Sequence, residues 1–499
     1  MTKPMHFDVP CSYVEKNPFL QMKAEETELP DFEKVRELLP KPVWEGHSDV
    51  IDCYYKTWEL AFGNLRMANP EAGYVANYID TAFGGDFFMW DSSFIVMFGR
   101  YADRVFHAQR MLDNFYSHQH RDGFICRQLM SDVRGDRFER DDPVSTGPNI
   151  LPWSEWEYFQ LTGDVERLKQ VFYPLLGYHK WLQLNRTWKD GSYWSSGWGC
   201  GMDNQPRLQK GYNECGSHGH MSWFDACAQM LLSGKILIEI GKLIHCEEDT
   251  VWLLEETTRL EKFINEKMWC EEDAFYYDLW KGDEQNHVKS IGAYWALLAD
   301  LVPEGKMERF VAHLDNPAEF KRPHRIPSLS ADHPDYKENG DYWKGGVWAP
   351  TNYMVLKGLE RTGYQELAYE IARNHLENVV DVYQNTGTLW ENYMPESAAA
   401  GEPARPDFVG WTGLSSIAVF IEYVLGVRAD AKAKRIIWDI HLTEKHGIRN
   451  YPYGGRLVSL ECEARQSEEE EPKIRIQSEH PVQVEVRWNG GEKVLWSIQ

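Results

Sequence analysis

An amphipathic helical period recurs from about residue 52 to about residue 425, and its segments come in pairs joined by short turns that carry glycine. In the clearest pair, WSEWEYFQ stops at Leu161-Thr162-Gly163-Asp164 and VERLKQVFYPLLGYHKWL begins. The pattern returns where NYMVLKGLE stops at Arg361-Thr362-Gly363-Tyr364 ahead of QELAYEIARNHLENVVDVY, and again around a break at His245. Glycine after the last apolar turn takes the left-handed conformation cheaply, so a helix ends there and the next can fold back. Each pair reads as an αα-hairpin. Twelve helices are expected, at 52–68, 92–102, 104–119, 152–161, 164–186, 222–243, 249–268, 290–301, 305–314, 346–361, 364–382 and 412–425. Six hairpins suggest an all-α (α/α)6 toroid, with six inner and six outer helices. No repeat of about 34 or 40 residues supports a solenoid.

Long connections rich in Gly and Trp interrupt the pairs at 69–91, 120–150, 187–221, 315–345 and 383–411. Loops of that length in a compact domain are usually functional, and if they open on one rim they build a deep pocket. After about residue 430 the period changes to two. Val482, Val484, Val486 and Trp488 alternate with polar residues, Asn489-Gly490 follows, and EKVLWSI returns, which is a β-hairpin signal. A small C-terminal antiparallel β-unit is expected, with the acidic run Glu468 to Glu471 as a solvated turn. The domains expected are an N-terminal extension at 1–50, a catalytic barrel at 51–428 and a β-rich domain at 429–499.

Of 499 residues, 53 are Lys or Arg and 77 are Asp or Glu, for a net charge of -24. So acidic a chain offers nucleic acid no general electrostatic footprint. Nine scattered cysteines, an odd number without a CxxC pair, read as reduced thiols. The first thirty residues hold no apolar core of leader length, and no apolar run approaches the roughly 18 residues that span a bilayer. A cytoplasmic chain with no membrane partner is expected, and its oligomeric state is left open.

The aromatic inventory of 21 Trp, 25 Tyr and 22 Phe points to chemistry. Trp90, Trp194, Trp198, Trp343, Trp348, Trp390 and Trp411 lie beside Gly, Asp, Glu or Asn in the connections. Flat apolar rings flanked by carboxylates and amides suit sugars, whose C–H faces pack on aromatics while their hydroxyls demand hydrogen bonds. Two acids stand out. Asp203 is the only carboxylate in the irregular stretch from Ser195 to Arg207, and Glu391 lies between aromatics in Gly387-Thr-Leu-Trp-Glu391-Asn-Tyr-Met-Pro395. Glycoside hydrolysis needs such a pair: one carboxylic acid for the glycosidic oxygen and one carboxylate that activates water or attacks carbon. Cys215, His218 and His220 form C-x2-H-x-H without a second ligand pair, so no metal is assigned. No GxSxG elbow, Walker loop or HExxH is present.

The segments GMDNQPR, YWKGGVWAPTNY, WENYMPE and GWTGL, in that order, resemble the signature of glycoside hydrolase family 63. That family of inverting α-glycosidases is built on an (α/α)6 barrel and is related to the family 37 trehalases. The resemblance implies that Asp203 is the general acid and Glu391 the general base. It places Trp90 and Asp91 in the pocket for the non-reducing sugar, Trp343, Lys344 and Trp348 against that sugar, and Trp411 and Thr412 on the opposite wall. Trp198, Asn204, Gly345 and Tyr393, in or beside the same motifs, complete the expected binding set. Arg127 and Arg207 are the cations nearest the motifs and the candidates to neutralise an anionic aglycone. The chain departs from the pattern at Ile95, where a His is usual, and at Lys344, where an Arg is usual. Both departures bear on the sugar and the aglycone, not on the acid–base pair. Lacking the large N-terminal β-sandwich of longer members, the chain is most similar to short bacterial members acting on small glycosides such as mannosylglycerate or glucosylglycerate. The expected function is therefore an exo-acting α-glycosidase for a small carbohydrate, without cofactor. The alternatives are an epimerase or lyase on the same barrel, with His218 and His220 central, or a non-catalytic sugar-binding relative.

Overall fold

A computed structural model of the chain describes residues 9–24, 28–81 and 84–497. Part of the segment on which the leader expectation rests, at 1–8 and 25–27, lies outside the described residues. From Ser48 onward the principal helices are α1 (Ser48–Gly63), α2 (Met89–Gly99), α3 (Asp113–Ser117), α4 (Leu151–Thr162), α5 (Val165–Asn185) and α6 (Phe224–Leu243). They continue with α7 (Val251–Phe263), α8 (Trp295–Leu298), α9 (Glu304–Val311), α10 (Ala349–Arg361), α11 (Gln365–Thr386) and α12 (Leu414–Val424), the last wound as a π-helix. Each falls on an expected segment.

The turns behave as their chemistry requires. Gly163 takes φ +70° at the end of α4, and the Asp164 side chain accepts from the Arg167 N–H to cap α5. Gly387 at φ +75° ends α11 four residues beyond the expected stop. The segment expected as one helix at 104–119 is instead a 3-10 turn, Ala108–Leu112, followed by α3. There the Gln109 carbonyl accepts from Arg167 Nη2 at 3.4 Å.

Every position of α2 and α12 is buried, whereas α11 buries a stripe of Ala368, Ile371, Ala372, His375, Leu376, Val379, Val380 and Val382. Helices apolar on all sides belong inside and striped ones outside. Contacts follow suit: α2 touches α4, α4 touches α6, α6 touches α8, α8 touches α10, α10 touches α12, and α12 returns to α2. Outside this cycle, α1 lies on α11 and α12, α5 on α4 and α6, α7 on α6, and α11 on α10 and α12. Among the described residues no helix is long and apolar enough to cross a membrane.

The sheet region corrects the expectation of a purely C-terminal, antiparallel β-unit. Two four-stranded sheets form. One joins β1 (Lys41–Trp44), from the stretch expected as a mere extension, to β4 (His446–Tyr453), β5 (Arg456–Cys462) and β6 (Ile474–Ser478). The other contains β2 (Val427–Asp430), β3 (Arg435–Ile440), β7 (Gln483–Trp488) and β8 (Gly491–Trp496). The β7–β8 hairpin turns at Asn489-Gly490 as expected, but β3 pairs with β7 in parallel. Val484 and Val486 point into the core opposite Ile436 and Trp438, and burial of these apolar rows sets the register. Arg428 in β2 ties the sheet to the helices. It donates to the Glu422 main-chain oxygen at 2.8 Å and pairs with Glu360 and Asp439, so its buried charge is matched.

Candidate functional site

The loops after the helices enclose a cavity of about 390 Å³, within the range of small-molecule sites. Of the expected residues, Trp90, Asp91, Arg127, Trp198, Asp203, Trp343 and Trp411 line it. The floor comes from the start of α2. The Trp90 Nε1 and Asp91 Oδ1 atoms are buried there without a hydrogen-bond partner in the protein, an arrangement that a bound sugar hydroxyl would satisfy. Gly201, at φ +79°, allows the Trp90 ring to approach: a Cβ at this position would stand 2.9 Å from the indole. Burial raises the Asp91 carboxyl well above the ordinary range, and neighbouring Glu391 and Asp203 push the same way.

Asp203 sits on the loop after the short helical turn Gly197–Cys200, half-buried in the pocket wall. Burial lifts its pKa to about 6, with Arg127 opposing and Glu391 adding to the rise. The next residue holds the facing loop in place. Asn204 Oδ1 accepts from the Trp343 N–H at 2.9 Å, and its Nδ2 donates to the Asp341 carbonyl at 3.0 Å. Trp343 stacks on Trp348 with ring centroids 3.9 Å apart and planes within 1°, and Trp348 packs edge-on to Trp411 at 5.6 Å. Trp343 and Trp411 therefore face the cavity while Trp348 supports both from behind.

Glu391 is 3% exposed and stands behind the wall formed by Tyr342, Arg405 and Trp411. Its Oε1 accepts from the Tyr342 hydroxyl at 2.9 Å, its Oε2 accepts from the Arg405 N–H at 3.3 Å, and its main-chain oxygen accepts from Trp411 Nε1 at 2.8 Å. Burial raises its pKa, while the Tyr342 and Arg405 contacts hold it back. Burial thus raises both carboxyls, and the hydrogen bonds from Tyr342 and the Arg405 N–H partly offset the rise at Glu391. Both act electrostatically on Asp91 and Tyr342.

Other expected contacts lie behind the pocket. Tyr393 is buried, its hydroxyl accepting from the Trp390 N–H at 3.3 Å, and Thr412 Oγ1 donates to the Trp390 carbonyl at 2.8 Å. Gly345 sits at φ +147°, where a Cβ would meet the Lys337 carbonyl at 2.7 Å. Lys344 Nζ lies 3.7 Å from Glu214 and not at the cavity. Arg207 corrects the expectation of an aglycone contact. It is 2% exposed and paired with Asp225 at 2.6 Å and Asp278 at 2.7 Å, because two buried carboxylates in its surroundings require a cation. Cys215 does not gather with His218 and His220 as a ligand group. The two imidazoles pack on Trp188, and His218 also packs on Trp194.

Two further residues meet Glu391: Tyr342, which opens YWKGGVWAPTNY, and Arg405, which lies outside the motifs. Tyr342 stands at φ +65° after Asp341 at φ +35°, a strained backbone that aims its hydroxyl at Glu391. Arg405 returns to Glu391 through main-chain pairing fourteen residues on, for which the sequence carries no local sign.

Residues 87–412 match the model of the mannosylglycerate hydrolase MGH1-like glycoside hydrolase domain, nearly two thirds of the chain. The chain belongs to this family. It is accordingly a family 63 glycoside hydrolase. This glycoside hydrolase is 22% identical over 287 residues to a probable mannosyl-oligosaccharide glucosidase of Schizosaccharomyces pombe, matching 54% of this chain and 33% of that one. Its fold resembles the family 63 mannosylglycerate hydrolase of Thermus thermophilus solved with glucose, at TM-score 0.59 and 18% identity, over 74% of this chain and 99% of that one. A sialidase shares the fold at TM-score 0.67 and 13% identity, over 97% of this chain and 44% of that one.

Proposed function

We propose that this glycoside hydrolase is an exo-acting α-glycosidase that inverts configuration, built on an (α/α)6 toroid whose inner ring is the cycle α2, α4, α6, α8, α10 and α12. Asp203 protonates the leaving oxygen, and Glu391 deprotonates a water that attacks the opposite face of the anomeric carbon. The observation that carries this reading is a pair of buried carboxyls set at one cavity: Asp203 in its wall, raised to about 6 by burial, and Glu391 just behind the wall, held by the Tyr342 hydroxyl and the Arg405 N–H. Inversion requires carboxyls roughly 6.5–9.5 Å apart with room for water between them. The substrate is a small α-glycoside. Its terminal sugar lies over Trp90, Asp91 and Trp343, and Arg127 and Arg405 give the cavity positive charge for an anionic aglycone. The names of the relatives, a mannosylglycerate hydrolase and a mannosyl-oligosaccharide glucosidase, support a mannoside or glucoside.

The test is hydrolysis of a panel of α-glucosides and α-mannosides, including glucosylglycerate, mannosylglycerate, kojibiose, nigerose and trehalose, followed by NMR of the anomeric protons. The β-anomer is expected first from one of them. Initial release of the α-anomer would remove the water-activating role from Glu391.

The pH profile offers a second check. A general acid works protonated, so kcat/KM falls as pH rises through the Asp203 value of about 6 in the free enzyme. A general base works ionised, so activity falls as pH drops through the Glu391 value. The Tyr342 hydroxyl lowers that value, so Tyr342→Phe should move the acidic limb to higher pH while leaving the alkaline limb in place. An unmoved acidic limb would detach Glu391 from it.

A further inference from the structure

Outside the pocket, two short ribbons lie close together: Trp269–Cys270 paired with Phe275–Tyr276, and Leu279–Trp280 paired with Glu284–Gln285. The turn of the first and the residues just after the second bring together a thiol, a carboxylate and an imidazole. Cys270 Sγ, an Asp273 carboxylate oxygen and a His287 ring nitrogen all lie within 4.8 Å of one another. The Asp273 Oδ2 to His287 Nδ1 edge is already 3.0 Å. We propose that Cys270, Asp273 and His287 form a site for a divalent metal of the zinc class.

The donor set selects the metal. A thiolate and an imidazole suit zinc, whereas calcium and magnesium demand oxygen ligands. Cys270 and Asp273 stand at the i, i+3 spacing that structural zinc sites use across a tight turn. Ala274, immediately after Asp273, and His287 itself adopt φ +53° and +51°, left-handed conformations that turn both segments sharply at the cluster. With zinc–ligand bonds of about 2.0–2.3 Å, the edges of a tetrahedron are about 3.3–3.8 Å. The widest separation therefore closes by about 1 Å. Side-chain rotation supplies that, since Asp273 and His287 are 34% and 59% exposed. A surrounding shell is in place. The Tyr277 hydroxyl donates to Asp273 Oδ2 at 2.9 Å, and the Tyr277 ring packs on the His287 ring at 4.9 Å. Water would complete the fourth position.

Such a metal would act on the pocket indirectly. Asn286, next to His287, donates through Nδ2 to Asp278 Oδ2 at 2.9 Å and to the Arg207 carbonyl at 3.3 Å. Pinning His287 to the first ribbon therefore fixes the strand that carries the brace beneath the Asp203 loop. The competing account is a metal-free cluster in which His287, Tyr277 and the Cys270 thiol all hydrogen-bond to the Asp273 carboxylate.

Cobalt(II) added to the EDTA-treated full-length protein reads this directly. One equivalent should produce a thiolate-to-cobalt charge-transfer band in the near ultraviolet that zinc then erases, and zinc at about 100 Kd should raise Tm by roughly 2–5 °C. Cys270→Ser should abolish the band and the zinc shift while keeping the Tm of the metal-free protein. Cys215→Ser should leave both unchanged. No band, or a band that survives Cys270→Ser, overturns the proposal. Loss in Cys215→Ser alone does so too, by moving the metal to Cys215, His218 and His220.

Discussion

Glu391→Gln is expected to lower kcat on every α-glycoside by roughly 10²–10⁴, with KM and Tm little changed. The amide keeps the shape of the side chain and can still meet the Tyr342 hydroxyl and the Arg405 N–H, both within 3.3 Å of the native carboxylate, so the fold around it has no reason to move. What it loses is basicity. No substrate can restore that, because water remains the nucleophile whatever group leaves. Asp203→Asn should behave differently. It removes the proton donor, so the deficit is expected to be similar for a natural glycoside with a poor leaving group and small for an α-glycosyl fluoride, whose departure needs no proton. The contrast between the two variants across leaving groups identifies the roles. If the fluoride rescues Glu391→Gln and leaves Asp203→Asn crippled, the assignments are exchanged. If neither variant loses activity, the chemistry lies elsewhere in the pocket.

The helices were legible because their ends are written in local chemistry. Gly163 and Gly387 take the left-handed turn that closes α4 and α11, and apolar residues at three- and four-residue spacing mark the buried stripe of α11. The sheets were only half legible. The β7–β8 hairpin announces itself through Asn489-Gly490, but the parallel β3–β7 pair and the recruitment of β1 to β4 join residues far apart in sequence, for which no local period exists. The site divides in the same way. Asp203, Trp90, Trp343 and Trp411 stood out by residue type and Asp91 by the family resemblance, and all five line the cavity. Tyr342 acts through a positive φ and Arg405 through its main chain, and residue type reveals neither property. Asn204, Gly345, Tyr393 and Thr412 sit in the right motifs but hold the loops in place instead of facing the cavity.

Arg207 shows what a motif cation can do when no ligand is involved, and its replacement gives the second large effect. Its guanidinium makes paired hydrogen bonds with Asp225, at 2.6 and 3.0 Å, and with Asp278, at 2.7 and 2.8 Å, and lies over the Trp223 ring at 4.5 Å. All three charged residues are buried, with Arg207 at 2% exposure. Arg207→Met would leave two carboxylates without a counter-charge in a low dielectric, which costs about 3–5 kcal/mol. In thermal unfolding this should appear as a Tm drop of roughly 3–5 °C. The loss should be partly recovered by adding Asp225→Asn and Asp278→Asn, since neutral partners of similar shape no longer demand a cation. Lys at this position should restore little, because a single ammonium cannot reproduce the fork that serves both carboxylates. An aglycone contact would give the opposite signature: a raised KM for an anionic glycoside, an unchanged KM for a neutral one, and no change in Tm. The two outcomes share no readout, so one thermal scan and two Michaelis curves decide whether the last residue of GMDNQPR binds substrate or, as its partners require, carries the loop that presents Asp203.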